Sequence, residues 1–259
     1  MQNFFSQLGH FLGVDRNSTS HTEKLISITG VLVGLITIHE ISSWYLEDSS
    51  SLLMIASMGA TAILIFGMPH GALSQPWPVI CGHMISAAIG VTLSRFFPSD
   101  WWTPSLAVAL AMGSMHYLHS IHPPGGATAM VAVVGGEQIQ EMGYQYLLTP
   151  VFMNVASLIL VAIIFNSFFP WRRYPVSLAL ISRTEPPLPK NFTADPEPED
   201  FDKALAELDS YRDITTEELH ELYQQAKYQA SLRVEKEVQA KRLEQPQSLL
   251  SRLKDKIKR

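Results

Sequence analysis

Apolar positions dominate the chain from residue 24 to residue 169, and only Gly, Pro and a few polar residues interrupt them. Runs of roughly 17–25 apolar residues fit helices that cross the hydrocarbon core of a bilayer. The pattern predicts six segments, at residues 24–44, 51–66, 77–97, 101–117, 118–136 and 146–169. The second and fifth are short and rich in Gly or Pro, so we expect broken or re-entrant helices buried in protein or lining a polar cavity.

Charge divides the chain into parts of opposite character. Seven charged residues, none of them Lys, fall between Leu25 and Phe169, whereas thirty-two follow Phe169. We therefore expect an N-terminal segment at residues 1–23 and a transmembrane domain at 24–171. A proline-rich linker at 172–199 and a charged, helical cytoplasmic tail at 200–259 complete the predicted organisation.

The predicted tail carries an apolar stripe from Leu219 to Val238 at helical spacing. This stripe fits either a coiled coil with a second copy or packing on the chain's own domain. The first reading makes a homo-oligomer the expected assembly. A scaffold or sensor that acts through the tail is the alternative function.

Basic residues near the predicted spans indicate the orientation. Lys24 precedes the first span and Arg172 and Arg173 follow the last, whereas the loops near residues 47–48 and 137–141 are acidic. The positive-inside rule then places both termini in the cytoplasm, which requires an even number of crossings. Six crossings give two inverted units of three, which we prefer. Four crossings with two re-entrant hairpins give parallel halves.

The block Gly-Ala-Thr-Ala occurs twice, at residues 59–62 and 126–129. Each copy has a Pro/His cluster beside it and is followed by an apolar segment that ends in Phe-Phe-Pro. The apolar part therefore reads as two related halves. Interrupted segments at matching positions of two halves point to the substrate site of a transporter.

The two blocks are candidates for an anion site. A helix that begins inside a membrane leaves backbone N–H groups unpaired, and its dipole adds partial positive charge. Pro123 and Pro124 favour a fresh helix start at the second block. The predicted anion-binding residues are Ser57, Gly59, Ala60, Thr61, Gly125, Gly126, Ala127 and Thr128. Small residues also let membrane helices approach closely, so helix packing is the competing interpretation.

Several polar side chains within the apolar part are candidates for lining a permeation path. Ionisable groups at such depth are functional candidates by default. We expect His70, His83, His122 and Asn154 to line the path. The histidines could instead relay protons, hold the structure together as neutral groups, or bind a metal. No carboxylate lies close to them in sequence, so neither a metal nor another cofactor is predicted.

Other function classes lack their signatures. The sequence has no phosphate-binding Gly-Lys loop and no nucleophile elbow, so an enzyme is not predicted. Nothing indicates nucleic-acid binding. A single cysteine, Cys81, excludes an intrachain disulfide.

The run His-Pro-Pro-Gly-Gly-Ala-Thr-Ala at residues 122–129 resembles the signature of the HPP family, which is named after its first three residues. The first half agrees, with its own Gly-Ala-Thr-Ala block and Ser-Gln-Pro at residues 74–76. The resemblance covers roughly residues 25–170. It implies an integral membrane protein and, from some plant chloroplast and cyanobacterial members, nitrite transport. The expected function is thus a transporter or channel for a small monovalent anion in a bacterial inner or thylakoid membrane.

Overall fold

The structure is a computed structural model, and it describes residues 19–44, 48–98 and 100–181, with isolated positions 203, 219, 220, 223, 224 and 227 in the tail. Its helices are α1 His21–Ser42, α2 Asp48–Gly67, α3 Pro76–Phe96, α4 Thr103–Tyr117, α5 Pro124–Val134, α6 Glu137–Met142, α7 Met153–Ser167 and α8 Val176–Ile181. Single turns lie at Ala72–Ser74 and Pro170–Arg172, and a π-type segment Leu147–Phe152 leads into α7. The all-α prediction is confirmed. Residues 182–199 of the predicted linker and most of the tail, with nearly all of its predicted stripe, lie outside the described residues.

Helix starts follow from local sequence. The Ser20 hydroxyl accepts a hydrogen bond from the Glu23 N–H at 3.1 Å and caps α1. Helices α3, α4 and α5 each have Pro in the first turn. Proline suits that position because its missing N–H would have no partner within the helix there.

Three stretches of the described chain are long and apolar enough to cross a membrane: His21–Ser42, Pro76–Phe96 and Leu147–Ser167. Ala56–Gly67 and Pro124–Val134 are shorter apolar helices. Their outer surfaces carry exposed large apolar side chains such as Leu32, Ile63 and Leu160. The arrangement fits a multi-pass membrane protein.

One end of the helical bundle, which we call the proximal end, is identified by Arg172. This side chain contacts the Glu23 carboxylate at the start of α1 and the Phe66 carbonyl at the end of α2. The Tyr174 hydroxyl donates to the Ser74 carbonyl at 2.8 Å, just before α3. Helix α1 therefore starts, α2 ends, α3 starts and α7 ends at the proximal end.

The opposite, distal end is marked by Arg95, whose guanidinium carbon lies 5.1 Å from the centre of the Tyr144 ring. Arg95 is in the last turn of α3, and Tyr144 precedes α7. Helix α4 returns to the proximal end, where the Trp77 indole N–H donates to the Leu118 carbonyl at 3.2 Å. Helix α5 then runs parallel to α3. The six segments of the described part alternate in direction. The number of crossings and the relation between the two halves stay predictions, and three stretches of the described chain are long and apolar enough to cross a membrane.

The two segments expected to be broken differ. Helix α2 is continuous through the first Gly-Ala-Thr-Ala block, so the predicted break there is wrong. No proline interrupts it, and its backbone hydrogen bonds continue from turn to turn. Helix α5 has 11 residues, about 16 Å at 1.5 Å per residue, against a hydrocarbon core of about 30 Å. The fifth segment is therefore a short helix entered through an irregular stretch.

Glycines explain why α5 lies so close to α3. A Cβ added at Gly90 would fall 2.5 Å from the Ala129 carbonyl oxygen, and one at Gly125 would fall 2.8 Å from that of Gly82. Only residues without a side chain allow such approach of two backbones. The helix-packing interpretation thus holds for Gly125, and it brings the first turn of α5 beside the middle of the bundle.

Candidate functional site

Five buried polar side chains meet where α2, α3 and α5 converge. We call them the polar cluster: Ser57, Thr61, His83, His122 and Thr128. Ser57 and Thr61 lie one turn apart on α2, His83 lies on α3, and Thr128 lies near the start of α5. His122 belongs to the irregular stretch before α5. All five were predicted site residues, and the fold brings them together across 71 positions of sequence.

The two copies of the repeated block meet at one imidazole. The Thr61 hydroxyl oxygen lies 2.8 Å from His83 Nε2, and the Thr128 hydroxyl oxygen lies 2.7 Å from His83 Nδ1. These threonines hold the same position in the two blocks. Both ring nitrogens of His83 are therefore bonded to equivalent residues of the two halves.

The hydrogen-bond directions follow from one backbone carbonyl. His122 Nδ1 lies 2.8 Å from the Leu73 carbonyl oxygen, which can only accept, so Nδ1 carries a proton. In a neutral imidazole Nε2 is then the acceptor. It lies 3.1 Å from the Thr61 hydroxyl. That hydroxyl also lies 3.5 Å from the Ser57 carbonyl oxygen, and we assign its proton to the shorter contact, which gives His122 Nε2 a donor.

The same logic fixes the other members of the cluster. Because the Thr61 proton points to His122, the Thr61 oxygen accepts from His83 Nε2–H. His83 Nδ1 is then the acceptor of a hydrogen bond that the Thr128 hydroxyl donates. The Ser57 hydroxyl, 2.7 Å from that of Thr128, donates to it. With both imidazoles neutral, the cluster is one directed chain from Ser57 through Thr128, His83, Thr61 and His122 to the Leu73 carbonyl.

Ser57, at the start of this hydrogen-bonded chain, has two possible acceptors. Its hydroxyl also lies 3.4 Å from the Pro124 carbonyl oxygen, a second acceptor. Rotation of the Ser57 hydroxyl between the two acceptors changes which way the neighbouring hydroxyl can point. The chain thus has a fixed end at Leu73 and an adjustable end at Ser57.

The surroundings of the cluster are apolar and uncharged in the part of the chain that the structure describes. The His83 and His122 rings lie 5.0 Å apart between centroids. The Tyr146 hydroxyl donates to the Thr128 carbonyl at 3.4 Å, and Met115 Sδ lies 3.5 Å from the His122 N–H. Among the described residues, no carboxylate bonds a member of the cluster, and no group of three or more His, Cys, Asp or Glu that could hold a metal occurs.

The amides predicted to bind an anion are already engaged. Gly59 and Ala60 lie inside continuous α2, where backbone N–H groups bond within the helix. At the second block, the Gly125 N–H bonds the His122 carbonyl and the Gly126 N–H bonds the Pro123 carbonyl, each at 2.9 Å. These two amides therefore have partners, because the double proline removes two N–H groups and tight turns use the next two. Anion binding at the predicted residues stays a prediction.

Other predicted site residues lie apart from the cluster. Ala60 and Ala127 are exposed on the bundle surface, and a Cβ at Gly59 would meet nothing within 4 Å. His70 lies at the proximal end, with Nε2 3.1 Å from the Arg173 carbonyl oxygen. The Asn154 amide N–H donates to the Ser42 hydroxyl at 2.8 Å, at the end of α1. His70 and Asn154 are thus not part of the same site.

Sequence reasoning missed the charged cluster at the proximal end. Arg172, used only as an orientation signal, is fully buried and paired with Glu23, and its Nε donates to Asn166 Oδ1 at 3.1 Å. The Trp171 indole N–H donates to the same Glu23 carboxylate at 3.0 Å. The available signal for this pair was a Glu at the position just before the first predicted span.

Comparisons with known proteins agree with this architecture. A family model described as "HPP, transmembrane region" matches residues 16–175. A transmembrane protein of Dictyostelium discoideum is 36% identical over 156 residues, which cover 59% of this chain and 49% of the relative. A second from the same organism is 37% identical over 158 residues, which cover 59% and 53%. The chain spans about half the length of these relatives, and no solved structure matches it.

Proposed function

Because this chain belongs to the HPP family of membrane proteins, we propose that it is a transporter or channel for a small monovalent anion, with nitrite as the first candidate. The polar cluster is the proposed substrate site. Side-chain hydroxyls and imidazoles take the role that the sequence alone gave to backbone amides. The bacterial or thylakoid membrane and the cytoplasmic termini stay predictions, and the relatives named above are from Dictyostelium.

The observation that carries this proposal is the burial of two histidines among apolar helices. The His83 ring is hydrogen-bonded on both nitrogens, to Thr61 of the first block and Thr128 of the second. Polar and ionisable groups at membrane depth are costly and mark ion pathways more often than they serve packing. A site at the contact between the two predicted inverted units also suits alternating access, because either unit can move against it.

Local charge favours an anion over a cation. The positive end of the α5 dipole lies beside His122, since the helix begins at Pro124. Cation sites in proteins use carboxylates or rings of carbonyls, and no carboxylate contacts the cluster among the described residues. The hydroxyl and imidazole N–H donors are bonded within the cluster in this structure, and they would bond the oxygens of a nitrite ion by exchanging these partners for it.

The same donors suit release. Conduction requires binding that is favourable yet weak enough for the ion to leave. A hydrogen bond from a neutral donor to a charged ion contributes about 1.5–3 kcal/mol net, and the neutral cluster adds no full positive charge that would hold the anion more tightly. The cluster's neutral donors would replace part of the water shell without trapping the ion.

The test is nitrite uptake by proteoliposomes that contain the full chain. We expect His83→Gln to lose most uptake, because it removes the group that joins the two halves of the cluster. His116→Gln is the matched control, since His116 is exposed on neighbouring α4, and it should transport normally. Uptake by His83→Gln at the rate of the unmodified chain would overturn the site. Competition by nitrate, formate and chloride would rank the anions.

A further inference from the structure

We propose that the polar cluster binds one excess proton and passes it from His83 to His122 through the Thr61 hydroxyl. This deepens the proposed function by adding a proton to the transport cycle, and it rests on that function only for the coupling to an anion. The proton site itself follows from the directed chain of hydrogen bonds.

The cluster has room for one added proton at a defined atom. In the neutral chain His83 Nδ1 accepts from the Thr128 hydroxyl at 2.7 Å. When Nδ1 is protonated it donates to the Thr128 oxygen instead, and the Thr128 proton turns to the Ser57 oxygen. The Ser57 proton then turns to the Pro124 carbonyl, 3.4 Å away. Two hydroxyl rotations leave every cluster donor with an acceptor.

The added proton has a route to the second imidazole. The Nε2–H bond of His83 breaks and its proton forms an O–H bond with Thr61, 2.8 Å away. The original Thr61 O–H bond breaks and its proton forms an N–H bond at His122 Nε2, 3.1 Å away. His83 is left neutral with its proton on Nδ1, and His122 becomes an imidazolium. One N–H bond and one O–H bond break, one of each forms, and no other reactant is needed.

The capacity is one proton rather than two. The two rings are 5.0 Å apart between centroids in an apolar setting, and a charge on one imidazole disfavours a charge on the other. The titratable side chains that face the histidines are His122 and His83 themselves and Tyr146, whose hydroxyl bonds the Thr128 carbonyl. Helices α2 and α5 present the hydroxyls of the cluster, and the described contacts include no Asp, Glu, Lys or Arg.

The series of hydrogen bonds also gives the proton transfer a direction. His122 Nδ1–H points to the Leu73 carbonyl, in the turn before α3 at the proximal end. Ser57 and Thr128 close the chain on its other side. A proton that reaches His122 is therefore nearer the proximal end than one held at His83 Nδ1.

The first test is direct and does not depend on transport. In 15N-histidine spectra of the full chain in nanodiscs, at a pH where both rings are neutral, His83 should carry its proton on Nε2 and His122 on Nδ1. Single His→Gln variants assign the signals. On acidification, His83 and His122 together should take up one proton. The opposite tautomers, or two imidazolium rings appearing together, would overturn the proposal while leaving anion transport untouched.

The second test interrupts the relay. Thr61→Val removes the hydroxyl between the rings at nearly constant volume. We expect nitrite uptake driven by a pH gradient to be about 100-fold lower than that of the unmodified chain, after the uptake of protein-free liposomes is subtracted. Thr61→Ser should restore it, and Thr37→Val, which removes a hydroxyl bonded to its own helix, should behave as the unmodified chain. If Thr61→Val does not fold, Thr61→Ala replaces it. Undiminished proton-driven uptake in the folded variant would reject the relay, and proton-independent nitrite uptake by the unmodified chain would reject the coupling but not the anion function.

Discussion

At the scale of single residues, the buried charge of Arg172 lies beside an opposite charge, that of Glu23. Arg172 and Glu23 are both buried and bonded to each other, and Arg172 also donates to Asn166 and to the Phe66 carbonyl. Burial lowers the pKa of the Arg172 guanidinium, and the Glu23 carboxylate opposes that shift. The pair joins the start of α1 to the ends of α2 and α7.

We predict that Glu23→Gln lowers the free energy of unfolding by about 3–5 kcal/mol, because it leaves the Arg172 charge buried without its counter-ion. The measurement is the temperature at which the detergent-solubilised protein loses its monodisperse elution peak. Lys24→Gln is the control, since Lys24 is exposed at the next position, and it should change little. Equal stability of both variants would show that the ion pair does not hold the helix ends.

At the scale of the element, backbone proximity decides how α5 is placed. The helix is too short to cross a bilayer alone, and it lies against α3 through glycines that leave no space for a Cβ. This contact carries Thr128 to His83. The packing of two helices therefore sets the geometry of the polar cluster.

We predict that Gly90→Ala destabilises the protein by about 1–3 kcal/mol, the usual cost of overpacking, since its Cβ would fall 2.5 Å from the Ala129 carbonyl oxygen. Gly113→Ala is the matched control on α4, where a Cβ meets nothing within 4 Å. Alanine favours a helix over glycine by about 1 kcal/mol, so Gly113→Ala should be neutral or stabilising. Thermal stability in detergent compares the two, and a stable Gly90→Ala protein would contradict the close α3–α5 contact.

At the scale of the whole described domain, alternation of the six segments separates its two ends. Arg173 lies at the proximal end with the start of α1, and Glu141 lies with Arg95 and Tyr144 at the distal end. We predict that cysteines introduced at positions 173 and 141, in a Cys81→Ala background, react with an impermeant thiol reagent from opposite sides of the membrane. Labelling of both from one side would contradict the alternation.

The sequence alone determined the class of the protein and named all five residues of the polar cluster, which is its candidate site. Apolar runs separated from a charged tail predicted an all-α membrane protein, because a bilayer demands helices of a certain length with few charges. The repeated block selected Thr61 and Thr128, and depth within apolar segments selected His83 and His122. These inferences depend on composition and spacing, which sequence states directly.

Only the tertiary structure decided how those residues act. Sequence treated the two blocks as equivalent helix starts, yet one lies in the middle of α2 and the other in the first turn of α5. The Gly125 and Gly126 amides bond carbonyls three residues earlier, in a turn that the residue pattern did not reveal. The two threonines on one imidazole and the Leu73 carbonyl that fixes the tautomers are contacts across distant positions, and they depend on how closely α3 and α5 approach. The burial of Arg172 depends in the same way on the ends of α1, α2 and α7.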